Sequence, residues 1–107
     1  LLGLGENGHV AALHPGHPSA DPTSAVAIGV TDSPKPPAEQ VSLSLATINR
    51  SREVWVFATG TQKADAVART FRGDPTTVSA HVSGVDRTIW FLGDDAASQL
   101  PFPSFRL

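Results

Sequence analysis

The residues best suited to chemistry gather at the start of the chain, in Gly3-Leu4-Gly5-Glu6-Asn7-Gly8-His9. A glycine-lined turn leaving the C-terminal end of a strand is where open α/β sheets bind ligands. A histidine there titrates near neutral pH, so His9 is placed to take a proton from water. The bland alternative is a polar turn residue with no role. The same run formally matches G-x-G-x-x-G, but a dinucleotide fold needs a long helix next and an acidic residue about 20 positions on. Here Pro15 cuts the helix short, and Asp21 and Asp32 fall in loops. His9, His14 and His17 lie on no single helix face and fit no zinc pattern, so no metal site is expected.

Two lysines are candidates for holding an anion. Lys63 is expected in the first turn of a helix that begins near Thr61. First-turn N–H groups and a lysine together suit a phosphate, although a lone lysine is more often a solvated surface residue. Lys35, in Ser33-Pro34-Lys35-Pro36-Pro37, has a similar claim with weaker geometry. Asn49-Arg50-Ser51 has the pattern of a glycosylation sequon, read here as accidental.

These groups need a scaffold. His9 to His14 is expected to form a short helix, with Val10 to Leu13 as its body and Asn7 as its N-cap, stopped by Pro15 and Pro18. Ala25 to Val30 reads as a buried strand, and Val41 to Leu45 has the strict alternation of a half-buried one. Ala46 to Arg52 reads as a short helix or turn. Glu53 to Thr59 is nearly continuously apolar, as expected of a strand covered on both faces. A helix follows, with Ala64, Val67, Ala68 and Phe71 on one stripe and Gly73 at its C-terminal cap. Thr88 to Leu92 reads as another buried strand. Strand, helix, strand in this order predicts a parallel α/β sheet.

Composition narrows the function classes. The chain has 107 residues, enough for one core, with 40% hydrophobic and 17% charged residues. A net charge of −2 and eight scattered Lys and Arg leave no basic face for nucleic acid. No apolar run is long enough to cross a membrane. With no cysteine, disulfides, thiolate metal sites and cysteine nucleophiles are excluded. The opening Leu1-Leu2-Gly3-Leu4 reads as the inside of a strand, so a fragment or trimmed product is expected.

Several segments together resemble one family. Gly3 to Gly16 is similar to the G-x-G-x-D-G-H-x-A-S-L-F-P-G signature of 6-phosphogluconolactonases. Ser33 to Pro37 with Val41 to Leu45 resembles their SPKPP loop and following strand. Thr59-Gly60-Thr61-Gln62-Lys63-Ala64 resembles their T-G-x-x-K-A turn, and Asp86 to Leu92 their closing R-T-x-W-F-L strand. The resemblance implies the C-terminal part of a Rossmann-like fold, a parallel sheet flanked by helices, spanning residues 1–99. The N-terminal half of the family fold would be absent, and a poorly ordered tail is expected over 100–107. It implies a cytoplasmic hydrolase of a small phosphorylated sugar lactone, with no cofactor and no metal. His9 would be the general base, with Asn7 beside it; Gly5, Gly8, Lys63 and Lys35 would bind substrate.

The signature is not matched throughout. Asn7 stands where the family has Asp, His14 replaces an aromatic residue, Ala12 a serine, and Gln40 a common arginine. The chain alone is expected to have little or no activity. Two alternatives are a sugar-phosphate isomerase or deaminase of the same fold, and a non-catalytic sugar-phosphate binding module. The deaminases continue I-A-F-N-E-P after Asp-Gly-His, whereas this chain has Val-Ala-Ala-Leu-His-Pro and lacks their Glu.

Overall fold

The structure, a computed structural model, describes residues 1–101. Its centre is a parallel sheet of three strands, β1 (Leu2–Gly3), β4 (Glu53–Ala58) and β5 (Arg87–Leu92), in the order β1-β4-β5. Leu2 pairs with Val56 on one side of β4, and Val56 pairs with Trp90 on the other. A separate antiparallel pair joins β2 (Ala27–Val30) to β3 (Gln40–Leu43). Two helices are described, α1 (Leu45–Ile48) and α2 (Ala64–Phe71), the latter entered through a 3₁₀ turn, Thr61–Lys63.

The β4–α2–β5 unit follows the apolar pattern closely. Val54, Val56 and Ala58 point into the core with Ala64, Val67 and Ala68 of α2, as a two-residue strand period and a helical stripe require. Phe71 ends that stripe at the rim, its ring edge-on to Trp90 at 5.2 Å. Gly73 then takes a left-handed φ of 73°. Its N–H bonds to the Thr70 carbonyl and that of Asp74 to the Arg69 carbonyl, the paired closure of a Schellman cap.

One expectation for β4 is corrected. The strand is covered on one face among the described residues, not on both. Trp55 and Phe57 remain 41% and 42% exposed and flank Phe91, with Phe57 stacked on it at 4.6 Å. β5 is half-buried for the same reason. The strand expected over 25–30 starts at Ala27, with Ala27 and Gly29 exposed and only Val30 buried.

Alternation holds in β3, but the polar set is the inner one. Ser42 and Ser44 are buried, while Val41 and Leu43 are 82% and 51% exposed. The Ser42 hydroxyl meets a loop amide described below. Ser44 donates to the Ala25 carbonyl at 2.7 Å and accepts from the Thr47 N–H as N-cap of α1. The strand expected to reach Leu45 therefore stops at Leu43, because Ser44 turns the chain into a helix. At the far end, Leu100 packs against the core; of the expected tail, 102–107 lie outside the described residues.

Candidate active site

The turn after β1 does not continue as the expected helix. Ala11 has φ of 49°, which breaks a right-handed helix, and the only backbone bond within Val10–Leu13 is Leu13 N–H to Val10 C=O. The N–H of Ala12 goes to Ser42 Oγ (3.2 Å) and that of His14 to Ser19 Oγ (3.1 Å). Val10 and Leu13 are fully buried. Tertiary partners thus satisfy the amides that a helix would have paired. Asn7 is accordingly no helix cap.

What Asn7 does instead shapes the site. Its Oδ1 accepts the backbone N–H of His9 at 2.9 Å, an Asx turn, with Gly8 between them at φ 84°. Gly5 and His9 close the loop through Gly5 N–H to His9 C=O. A Cβ on Gly5 would overlap the His9 ring, and one on Gly8 would lie 2.8 Å from Thr77 Cβ. Both glycines are needed for close packing, Gly5 against the imidazole itself. Ser79 N–H also bonds to the Gly8 carbonyl, tying the turn to the segment after α2. Asp74 organises that segment: its carboxylate takes the Thr76 hydroxyl and N–H and the Arg69 Nε–H, which hold its pKa down to about 2.

Asn7 Oδ1 also lies 2.8 Å from His9 Nδ1. A backbone N–H can only donate, so the Asn7 atom facing His9 is the oxygen, and Nδ1 of a neutral His9 carries the proton. Nε2 is left with its lone pair, as a proton acceptor requires. Burial and the nearby His14, Lys35 and Lys63 lower the His9 pKa to about 4. His9 is therefore neutral at neutral pH and ready to act as a base.

The structure brings Lys35 and Lys63 within electrostatic reach of His9. Lys63 is partly buried, and as the last residue of the 3₁₀ turn it lies just before α2 rather than in its first turn. Lys35 is exposed on its proline loop. Gln40 holds that loop, its Nε2 donating to the Pro37 carbonyl at 2.8 Å and lying 3.3 Å from the Lys35 carbonyl. Gln40 was seen in the sequence only as a departure from the signature; its side chain's reach was the missing information.

His14 was also undervalued. Its ring is 2% exposed, stacks on His9 at 4.3 Å, and its Nδ1 lies 3.2 Å from Asn7 Nδ2. A histidine locked beside an Asx turn could have been suspected from Asn-Gly-His alone. Its partner could not. His17 is held elsewhere, between Ser19 and the Thr31 carbonyl, and among the described residues no group of three His, Cys, Asp or Glu could hold a metal ion. A cleft of about 440 Å³ lined by His17, Asp21 and Asp32 contains neither His9 nor either lysine.

Known proteins are similar to this chain over most of its length. The 6-phosphogluconolactonase of Streptomyces coelicolor is 47% identical over 103 residues, 94% of this chain and 40% of that protein. That of Mycobacterium leprae is 43% identical over 94% of this chain and 42% of its own length. Among solved structures, the Trypanosoma brucei 6-phosphogluconolactonase has a TM-score of 0.77 at 31% identity, covering 92% of this chain and 40% of that one. The chain thus spans about 40% of the length of the relatives it matches. The family model for glucosamine-6-phosphate isomerases/6-phosphogluconolactonase matches residues 1–90, and the chain belongs to that family.

Proposed function

We propose that this chain supplies the catalytic histidine of a 6-phosphogluconolactonase, which hydrolyses 6-phospho-D-glucono-1,5-lactone to 6-phosphogluconate. The observation that carries the reading is the Asn7–His9 contact, which leaves His9 Nε2 free to accept a proton. In this mechanism Nε2 takes a proton from water as the water oxygen attacks the lactone carbonyl carbon. The C1–ring-oxygen bond then breaks, and the proton passes from His9 to the departing ring oxygen. A lactone is an activated ester, so positioning and proton transfer suffice without a covalent intermediate. Lys63 and Lys35 hold the phosphate, with Gly5 and Gly8 keeping the turn low enough for substrate to approach.

The phosphate also tunes the base. Both lysines depress the His9 pKa, and a dianion between them offsets that field. Substrate binding therefore makes His9 a stronger base than it is in the empty site. Among the described residues no helix is long and apolar enough to cross a membrane, and a cytoplasmic location is part of the same proposal.

Lactone opening by the full-length gene product, measured above spontaneous hydrolysis beside His9→Ala, tests the reading. Turnover that vanishes in the variant is expected; equal turnover in both would overturn it. A second reading, a binding module for sugar phosphates, draws on Asn7. A neutral amide orients His9 but lacks the charge to stabilise its protonated form. Folded protein that binds 6-phosphogluconate without turnover would favour that reading.

A further inference from the structure

We propose that His14 is a positioning residue: by accepting a hydrogen bond from Asn7 Nδ2 it steadies the amide whose Oδ1, turned to His9 by that residue's backbone N–H, sets the tautomer of the base.

The geometry leaves little freedom. Asn7 has two ends, and each meets an imidazole. Oδ1 receives both the His9 backbone N–H (2.9 Å) and His9 Nδ1 (2.8 Å), while Nδ2 faces His14 Nδ1 at 3.2 Å. Nδ2 can only donate, so His14 Nδ1 must be the unprotonated nitrogen of a neutral ring. The His14 proton then sits on Nε2, which points toward Ser33 Oγ at 3.5 Å. A reversed amide would set Nδ2 against the His9 backbone N–H, a donor that no change of tautomer removes. A protonated His14 would set a donor against a donor. With the amide held that way, neutral His14 accepting at Nδ1 gives Asn7 a second hold.

His14 is also built to stay neutral. Its ring is almost wholly buried, and burial, His17 and Lys35 all lower its pKa. Neutral His14 keeps the acceptor in place under the conditions where His9 works.

The sequence carries a matching signal. Asn7 and His14 are both departures from the lactonase signature, and they are the two partners of one hydrogen bond. A carboxylate at position 7 would present oxygen to both neighbours, with no donor for an acceptor to hold. An apolar aromatic at position 14 asks for no such donor.

The activity arm of the test rests on the lactonase reading; the spectroscopic arm does not. In the full-length gene product at neutral pH, imidazole ¹⁵N shifts should report His9 as the Nδ1–H tautomer. His14→Phe keeps an aromatic ring but removes the acceptor. It should give mixed His9 tautomers and lower kcat about 10-fold with KM little changed, the worth of roughly one hydrogen bond. His14→Asn removes the ring but keeps an acceptor near Nδ1, and should restore the single tautomer. Combining His14→Phe with Asn7→Asp should recover most of the lost activity and raise the pH at which His9 titrates. The proposal is overturned if His14→Phe leaves the tautomer unchanged, or if its loss is the same in the Asn7→Asp background. Activity that survives His9→Ala would sink the role of His9 as the base, and the ¹⁵N result would still decide the role of His14.

Discussion

In the β4–α2–β5 crossover, backbone groups are met by other backbone groups, and apolar side chains fill one face of a strand and one stripe of a helix. Between Gly5 and His14, side chains meet the N–H groups of His9, Ala12 and His14, one of them, Ser42, from a distant segment. The crossover is regular and tolerant, since its stability comes from area and volume. The turn is irregular and specific, since its parts are hydrogen-bond partners with fixed donor and acceptor roles. Damage to the first should cost stability, and damage to the second should cost chemistry.

The strongest test of that division is His9→Ala. Removing the proposed general base should lower kcat/KM by about 10²–10⁴-fold, while the melting temperature moves little because His9 is only partly buried. A collapse of the fold would erase the distinction. Val56→Ala tests the other side. Val56 is fully buried at the centre of the sheet, so losing two methyl groups should cost about 2 kcal/mol in denaturant unfolding. Turnover per folded molecule should be unchanged.

Gly73→Ala is a smaller probe of the same unit. An alanine forced to keep the φ of 73° in the α2 cap should lose about 1 kcal/mol, again without effect on kcat. Lys63→Gln probes the turn through its field alone. Removing that charge should raise the His9 pKa from about 4, move the acid limb of the pH–rate profile upward, and weaken binding of the phosphorylated substrate. An unchanged acid limb would mean that Lys63 does not act on His9.

The two regions also differ in their response to acid. The His9 pKa falls from an ordinary 6.5 to about 4 on folding, and that of His14 is lowered too. Between those pH values the unfolded chain binds more protons than the folded one, so stability falls as pH drops from about 6.5 toward 4. Unfolding midpoints measured across that window should decline in the native sequence. They should decline less in His9→Ala. A flat profile would show that the turn does not keep its imidazoles neutral.

Much of this was legible in the sequence. The crossover announced itself because a period of two and a period near four report directly which side chains share a face. Gly60, Gly73 and Pro75 marked its breaks. His9 stood out because a histidine at a glycine turn is an unusual pairing of mobility and proton chemistry. Sequence misjudged what depends on distant partners. Val10 to Leu13 has helical composition, but Ser42 and Ser19 take the amides a helix would use. Val41 and Leu43 carry the apolar half of an alternating strand, yet the serines face inward because their hydroxyls have partners there.

The sequence by itself determined the parallel strand–helix–strand unit, the turn that carries His9, and the family to which both conform. Those are local in origin: side-chain periodicity, glycine conformations and an ordered set of short motifs. Only the tertiary structure decided the state of the base. It placed His14 against Asn7, seven residues away with a turn between them, and brought Lys35 and Lys63 from two other loops to act on His9. Hydrogen-bond direction and electrostatic field depend on distance in space, which spacing along a chain does not encode.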